Sequence, residues 1–128
     1  MIRFTIPLQP ITKKNHGQII FRNGKAVYLP SKQYQQYEKD CKVFIPRPSF
    51  CPLTGQVNVK AVFYMETRRR VDLVNLLQAL LDILVKYGVL GDDNSKIVVS
   101  VDGSRVGYDK ENPRTVVEIT EIEKGEFV

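Results

Sequence analysis

A chain of 128 residues with 43% hydrophobic and 26% charged residues has the size and balance of one folded domain, which excludes disorder. Two cysteines and a single histidine exclude a four-ligand zinc centre, and no apolar run reaches the ~18 residues of a membrane span. The net charge of +5 conceals a split, because residues 1–71 hold 13 Lys and Arg against 3 Asp and Glu, whereas residues 72–128 hold 6 against 11. Basic surface attracts phosphate backbones, and a neighbouring group of acids is what a hard cation needs. A solvated surface with an acidic tail (Glu118, Glu121, Glu123, Glu126) explains the same numbers. The N-terminus alternates from Met1 to Pro7 and lacks the apolar block of a signal peptide, so the expectation is an intracellular, cytoplasmic protein. In that reducing setting Cys41 and Cys51 are expected to be unpaired.

In chain order, Arg3 to Leu8 reads as a short strand stopped by Pro7 and Pro10. The polar stretch Thr12-Lys13-Lys14-Asn15-His16-Gly17 leads to Gln18–Arg22 and Lys25–Leu29, joined by Asn23-Gly24. Asn-Gly between two apolar runs predicts a tight hairpin, since both residues tolerate positive φ. Ser31 is placed to cap a helix through Tyr34, Tyr37, Cys41 and Phe44, which Pro46 and Pro48 end. After Thr54-Gly55, a long strand sends Val57, Val59, Ala61, Phe63 and Met65 to one face, with Asn58, Lys60, Tyr64 and Glu66 on the other. Arg68-Arg69-Arg70-Val71-Asp72 then opens a second helix that ends near Tyr87-Gly88. Gly91-Asp92-Asp93-Asn94 reads as a turn, Ile97–Val101 as a strand, Asp102-Gly103-Ser104 as a further turn and Thr115–Ile119 as the last strand. The order predicts an α+β fold, one domain over residues 1–128, with a mixed or largely antiparallel sheet covered by two helices.

The second helix is apolar on most sides. Its polar members Asp72, Asn75, Gln78, Asp82 and Lys86 fall within an arc of roughly 120° at 100° per residue. Such a helix needs more than one covering surface, which a homodimer or a thick single core would supply. Asp82 reads as a solvated carboxylate on the stripe. Asp72 favours the helix N-terminus through the dipole, but three arginines beside it would draw phosphate to the same place. Asp92-Asp93 is ordinary turn chemistry and also a pair of hard oxygen ligands. Asp72 and Lys86 are separated by about 21 Å of helix. Either the extended chain from Lys86 to Asp93 runs back over that distance, or a two-fold partner supplies the second acid.

Arg68-Arg69-Arg70-Val71-Asp72-Leu73-Val74-Asn75-Leu76, followed by Asp82, Gly88 and Asp92-Asp93, resembles the RusA family of Holliday junction resolvases. The segment Pro10–Asn15, the hairpin and the Tyr-bearing helix follow in the family's order. The resemblance implies a homodimeric, Mg²⁺-dependent endonuclease, often prophage-encoded, that resolves four-way DNA junctions in recombination and repair, with Mn²⁺ as a substitute ion. It carries the metal-binding and catalytic role onto Asp72 and Asp93, with Asp92 beside the latter, and leaves Asn75 and Asp82 as supporting residues. Lys13, Lys14, Arg22, Lys25, Arg68, Arg69 and Arg70 would then track the phosphate backbone. The sequence departs from the family pattern twice. Val74 stands where the family has the second Asp of D-x-D-N, and Gln78 where it has Lys. These losses suit a junction-binding protein with weak or no catalysis, or a branch that recruits another acid. Asp102 is the substitute to test, and also a plain Asp-Gly turn residue.

Overall fold

The computed structural model describes residues 1–13 and 17–123. Seven strands and two helices appear in the order β1 (Ile2–Ile6), β2 (Gln18–Arg22), β3 (Lys25–Leu29), α1 (Lys32–Cys41), β4 (Val57–Met65), α2 (Leu73–Lys86), β5 (Val98–Ser100), β6 (Arg105–Tyr108) and β7 (Arg114–Glu121). The expected α+β class therefore holds, and the sheet is mixed. β7 lies between β1 and β4 and is antiparallel to both. β5 and β6 run parallel to β4 along its other edge, one after the other. β2 and β3 form a separate two-stranded sheet.

β4 shows why the sequence pattern works. Val57, Val59, Ala61, Phe63 and Met65 are all buried, while the residues between them are half-buried on the outer face. The inner face joins one core with Tyr34, Tyr37 and Cys41 of α1 and Leu76, Leu80, Ile83 and Leu84 of α2. Ser31 caps α1 as expected, its hydroxyl accepting the Tyr34 N–H at 3.1 Å. The helix is shorter than the sequence suggests, because it tightens into a 3₁₀ turn over Lys42–Phe44 before Pro46. Burial pushes the Cys41 thiol up to about 11, which keeps it protonated at neutral pH. Cys41 and Cys51 are both free.

Gly88 ends α2 at a φ of +79°, which a Cβ would strain, and Val89 N–H reaches back to the Leu84 carbonyl at 2.9 Å. Lys86 pairs with Glu38, and the Tyr87 hydroxyl donates to the Glu38 carbonyl at 2.9 Å, tying the end of α2 to α1.

Three readings of the sequence need correction. The strand placed at Ile97–Val101 is only Val98–Ser100, with Ile97 N–H bonded to the Asn94 carbonyl in the preceding turn. A strand was missing from the predicted order: β6, whose exposed Arg105 and Val106 and central Gly107 give no alternation. Finally, α2 is not covered all round. Leu73, Leu81 and Val85 are half-buried and Val74 is 69% exposed. The core of one chain covers the rest, so burial of this helix does not itself require a partner.

Candidate active site

The chain leaves the end of β4 through Thr67 to Arg70 and enters α2 at Asp72. Asp72 occupies the N-cap position with extended backbone (φ −95°, ψ 115°), yet its carboxylate makes no capping hydrogen bond. The side chain is exposed, and among the described residues it makes no hydrogen bond or ion pair. It lines an open pocket of about 390 Å³ together with Thr12, Arg70, Val71 and Asn75. A second hollow adjoins it, sharing Thr12, Arg70 and Val71 and adding Arg69 and Gln9. Two of the three arginines thus face the concave surface that holds Asp72. Arg68 is engaged differently, its guanidinium stacked 4.1 Å from the centre of the Tyr108 ring on β6.

The other acids sit past the far end of α2. Leu53 N–H donates to the Val89 carbonyl at 2.9 Å, and Gly91 N–H donates to the Leu53 carbonyl at 2.8 Å. These bonds pin the start of the Gly91–Asn94 turn. Within it the Asp92 carboxylate accepts the Asp93 N–H at 2.7 Å and the Asn94 amide at 3.2 Å. Asp92 therefore shapes the turn, and Asp93 is the acid the turn presents. Partial burial, hydrogen bonding with Asp92 and repulsion from Asp82 and Asp92 hold the Asp93 carboxyl above the usual carboxylate range.

Asp82 is half-buried and accepts from the Lys13 ammonium at 3.4 Å. Lys13 thereby connects the N-terminal basic segment to the stripe. Lys14 lies outside the described residues. Arg22 and Lys25 face each other at the exposed tip of the β2–β3 hairpin. Asp102 lies elsewhere. Its N–H donates to the Asn58 side chain at 2.8 Å and its carbonyl accepts from the same residue, on the sheet face opposite the helices. That position separates it from the acids of α2.

Thr12 was not singled out in the sequence. It is 4% exposed and its hydroxyl finds no partner among the described residues, although it borders the pocket that holds Asp72. A threonine in a polar loop gives no periodic signal. Only its place within Pro10–Asn15 could have drawn notice.

The donor chemistry suits a hard divalent cation. Asp72, Asp92 and Asp93 offer carboxylate oxygens, and Asp93 carries the like-charge repulsion that a cation relieves. Among the described residues no three His, Cys, Asp or Glu side chains converge on one point. An ion with one or two carboxylates, completed by water and phosphate oxygens, is the arrangement Mg²⁺ ordinarily accepts.

A mixed-sheet α+β fold that places a basic strand-to-helix turn beside exposed carboxylates has the chemistry to meet a phosphodiester backbone. The chain matches the family model described as Endodeoxyribonuclease RusA over residues 7–120, and it belongs to that family. No curated protein matches it at a significant level. The family supports Holliday junction-resolving endonuclease activity in general and is generally dependent on divalent metal. No helix among the described residues is long and apolar enough to cross a membrane.

Proposed function

We propose that this chain is a cytoplasmic, homodimeric endodeoxyribonuclease that resolves four-way DNA junctions in recombination and repair, using Mg²⁺ or, in its place, Mn²⁺. The family's frequent prophage origin is carried over as part of the same proposal. One observation supports it above others: Asp72 makes no capping bond and stands in an open pocket beside Arg70. A carboxylate without a capping bond, next to a guanidinium able to take a phosphate oxygen, suits phosphodiester cleavage.

Asp72 and Asp93 would hold the cation; because they lie at opposite ends of α2, the second acid would come from a two-fold partner, and Asp92 would fix the turn that presents Asp93. When bound, the ion supplies a water of lowered pKa and offsets charge on the phosphate and leaving oxygens. The remaining tasks belong to the chain. Arg69 and Arg70 bind the phosphate backbone along the hollow that Thr12 borders. Lys13 holds Asp82 in place and lends positive charge to the stripe. Asn75, half-buried beside Asp72, orients whatever occupies the pocket by hydrogen bonds.

A second reading has its own support: a junction-binding protein with weak or no catalysis. Val74 and Gln78 remove a carboxylate and a cation, interactions worth a few kcal/mol to a transition state in other enzymes. Both readings meet in one assay, which follows a synthetic four-way junction and a linear duplex in Mg²⁺ and then Mn²⁺. Paired symmetric cuts in the junction, lost in Asp72→Asn and in Asp93→Asn while binding persists, are the expected result. Salt-sensitive junction binding with no cuts in either metal would select the second reading.

A further inference from the structure

The hairpin of β2 and β3 carries apolar side chains where the fold makes no use of them. Its ladder is separate from the main sheet. The pairing places Ile19, Phe21, Ala26 and Tyr28 on one face. Ile19 is 70% exposed and Phe21 75% exposed. A bare two-stranded ribbon is marginal in water, and solvated side chains of this size add nothing to its stability.

The hairpin is nevertheless fixed at its base. The Tyr28 hydroxyl donates to the Lys13 carbonyl at 2.9 Å, and the ring end lies so close to Gly17 that any Cβ there would collide with it. Lys13 is the residue whose ammonium pairs with Asp82. The arm is therefore braced against the polar stripe of α2. At its tip, Asn23 (φ 52°) and Gly24 (φ 76°) make a tight turn flanked by Arg22 and Lys25. No Asp or Glu occurs before Glu38 in the sequence. An apolar face framed by cations, with no acid in its chain segment, complements a polyanion that also offers flat apolar surface. Nucleic-acid bases and phosphates together have that chemistry.

We infer that the hairpin is a branch-point wedge, with Phe21 entering between bases where the strands of a junction part, and Arg22 and Lys25 holding phosphates on either side. This rests on the junction-directed reading above and deepens it. A five-residue strand spans about 17 Å, the length of roughly five stacked base steps. The tip can thus reach a branch point while Lys13, at the base, stays on the stripe. Inserting a side chain into intact duplex requires unstacking a base step. In an opened junction the stacking across the exchange point is interrupted, so the wedge favours junctions over duplex.

The test uses the full chain and a four-way junction carrying 2-aminopurine at the branch point, beside a matched duplex. Binding of the unaltered protein is expected to raise 2-aminopurine fluorescence in the junction and not in the duplex. Phe21→Ala should abolish the rise and weaken junction binding about tenfold, with duplex affinity changed less than about twofold. Phe21→Leu, which keeps apolar bulk without a ring, should recover only part of both. Arg22→Ala and Lys25→Ala should weaken both DNAs and shallow the salt dependence. Because Phe21 is exposed, an unchanged thermal melt will confirm that the variant folds.

Equal junction affinity and an equal fluorescence rise for Phe21→Ala would overturn the wedge and leave the junction-directed reading intact. Loss of a dimer in sedimentation, caused by that substitution, would also overturn it by assigning the face to a second copy of the chain. Failure of the unaltered protein to prefer junction over duplex would remove both readings together.

Discussion

Val74→Asp is the most informative single substitution. It restores the carboxylate that the family carries two residues after Asp72. Val74 is the second residue of α2 and 69% exposed, so the change empties no core. A negative charge in the first turn of a helix contributes about 0.3–1 kcal/mol of stability, and Asp72, two residues away, does not face it as an i,i+4 neighbour would. Net stability should shift by less than about 1 kcal/mol. The effect on a cation is larger. At a position this exposed the dielectric of water applies, where unit charges at 4 Å interact by about 1 kcal/mol, or about 2 kcal/mol against a divalent ion. At 1.4 kcal/mol per tenfold, that is roughly a 30-fold gain in cation affinity. The assay is junction cleavage against Mg²⁺ concentration, with the thermal midpoint measured in parallel. A variant that melts normally and half-saturates within about threefold of the original would refute the idea that Val74 weakens the site.

Two further outcomes follow from groups already described. Asp93→Asn should abolish cleavage yet stabilise the fold by a few tenths of a kcal/mol at neutral pH, since an exposed carboxylate is well screened. The sign is fixed by the raised carboxyl of Asp93: its ionised form is the one penalised in the folded state. The gain should therefore be full at neutral pH and fade as acid protonates Asp93, which denaturant melts between neutral pH and pH ~4 will show. Leu84→Ala, at a position with no exposure in the heart of the core, should cost about 2–5 kcal/mol, measured by urea unfolding. A cost below 1 kcal/mol would mean that α2 does not pack as described.

How much was legible depended on whether the determinant was local. The β2–β3 hairpin was readable residue for residue, because Asn23-Gly24 must supply two positive φ angles and nothing distant alters that. The alternation of β4 and the stop at Gly88 are equally local. β6 was invisible because its support is a parallel pairing with β4, some 40 residues earlier in the chain, and its own residues carry no pattern. The acids show the same division. That Asp72 opens a helix could be read, but not that its carboxylate would be left without a capping bond. Asp92 and Asp93 looked equivalent as a dipeptide, and only the turn geometry gives one a structural duty and the other a raised carboxyl. The solvent-facing sector of α2 was wider than its polar residues indicated, because a helical wheel cannot say where the covering layer ends. Val74 lies in that margin.

The placement of β7 bears on biosynthesis. Among the described strands, the one that fills the space between β1 and β4 is the last to be made, and it joins residues 2–6 to residues 115–119. Contacts so distant in sequence close slowly, and here they cannot close until residues 115–119 have been synthesised. An interrupted product lacking Arg114 onward would keep β1 and β4 as open edges, prone to pairing with other chains. Such a fragment is headed for aggregation and degradation, so the sheet is complete only when its two ends have met.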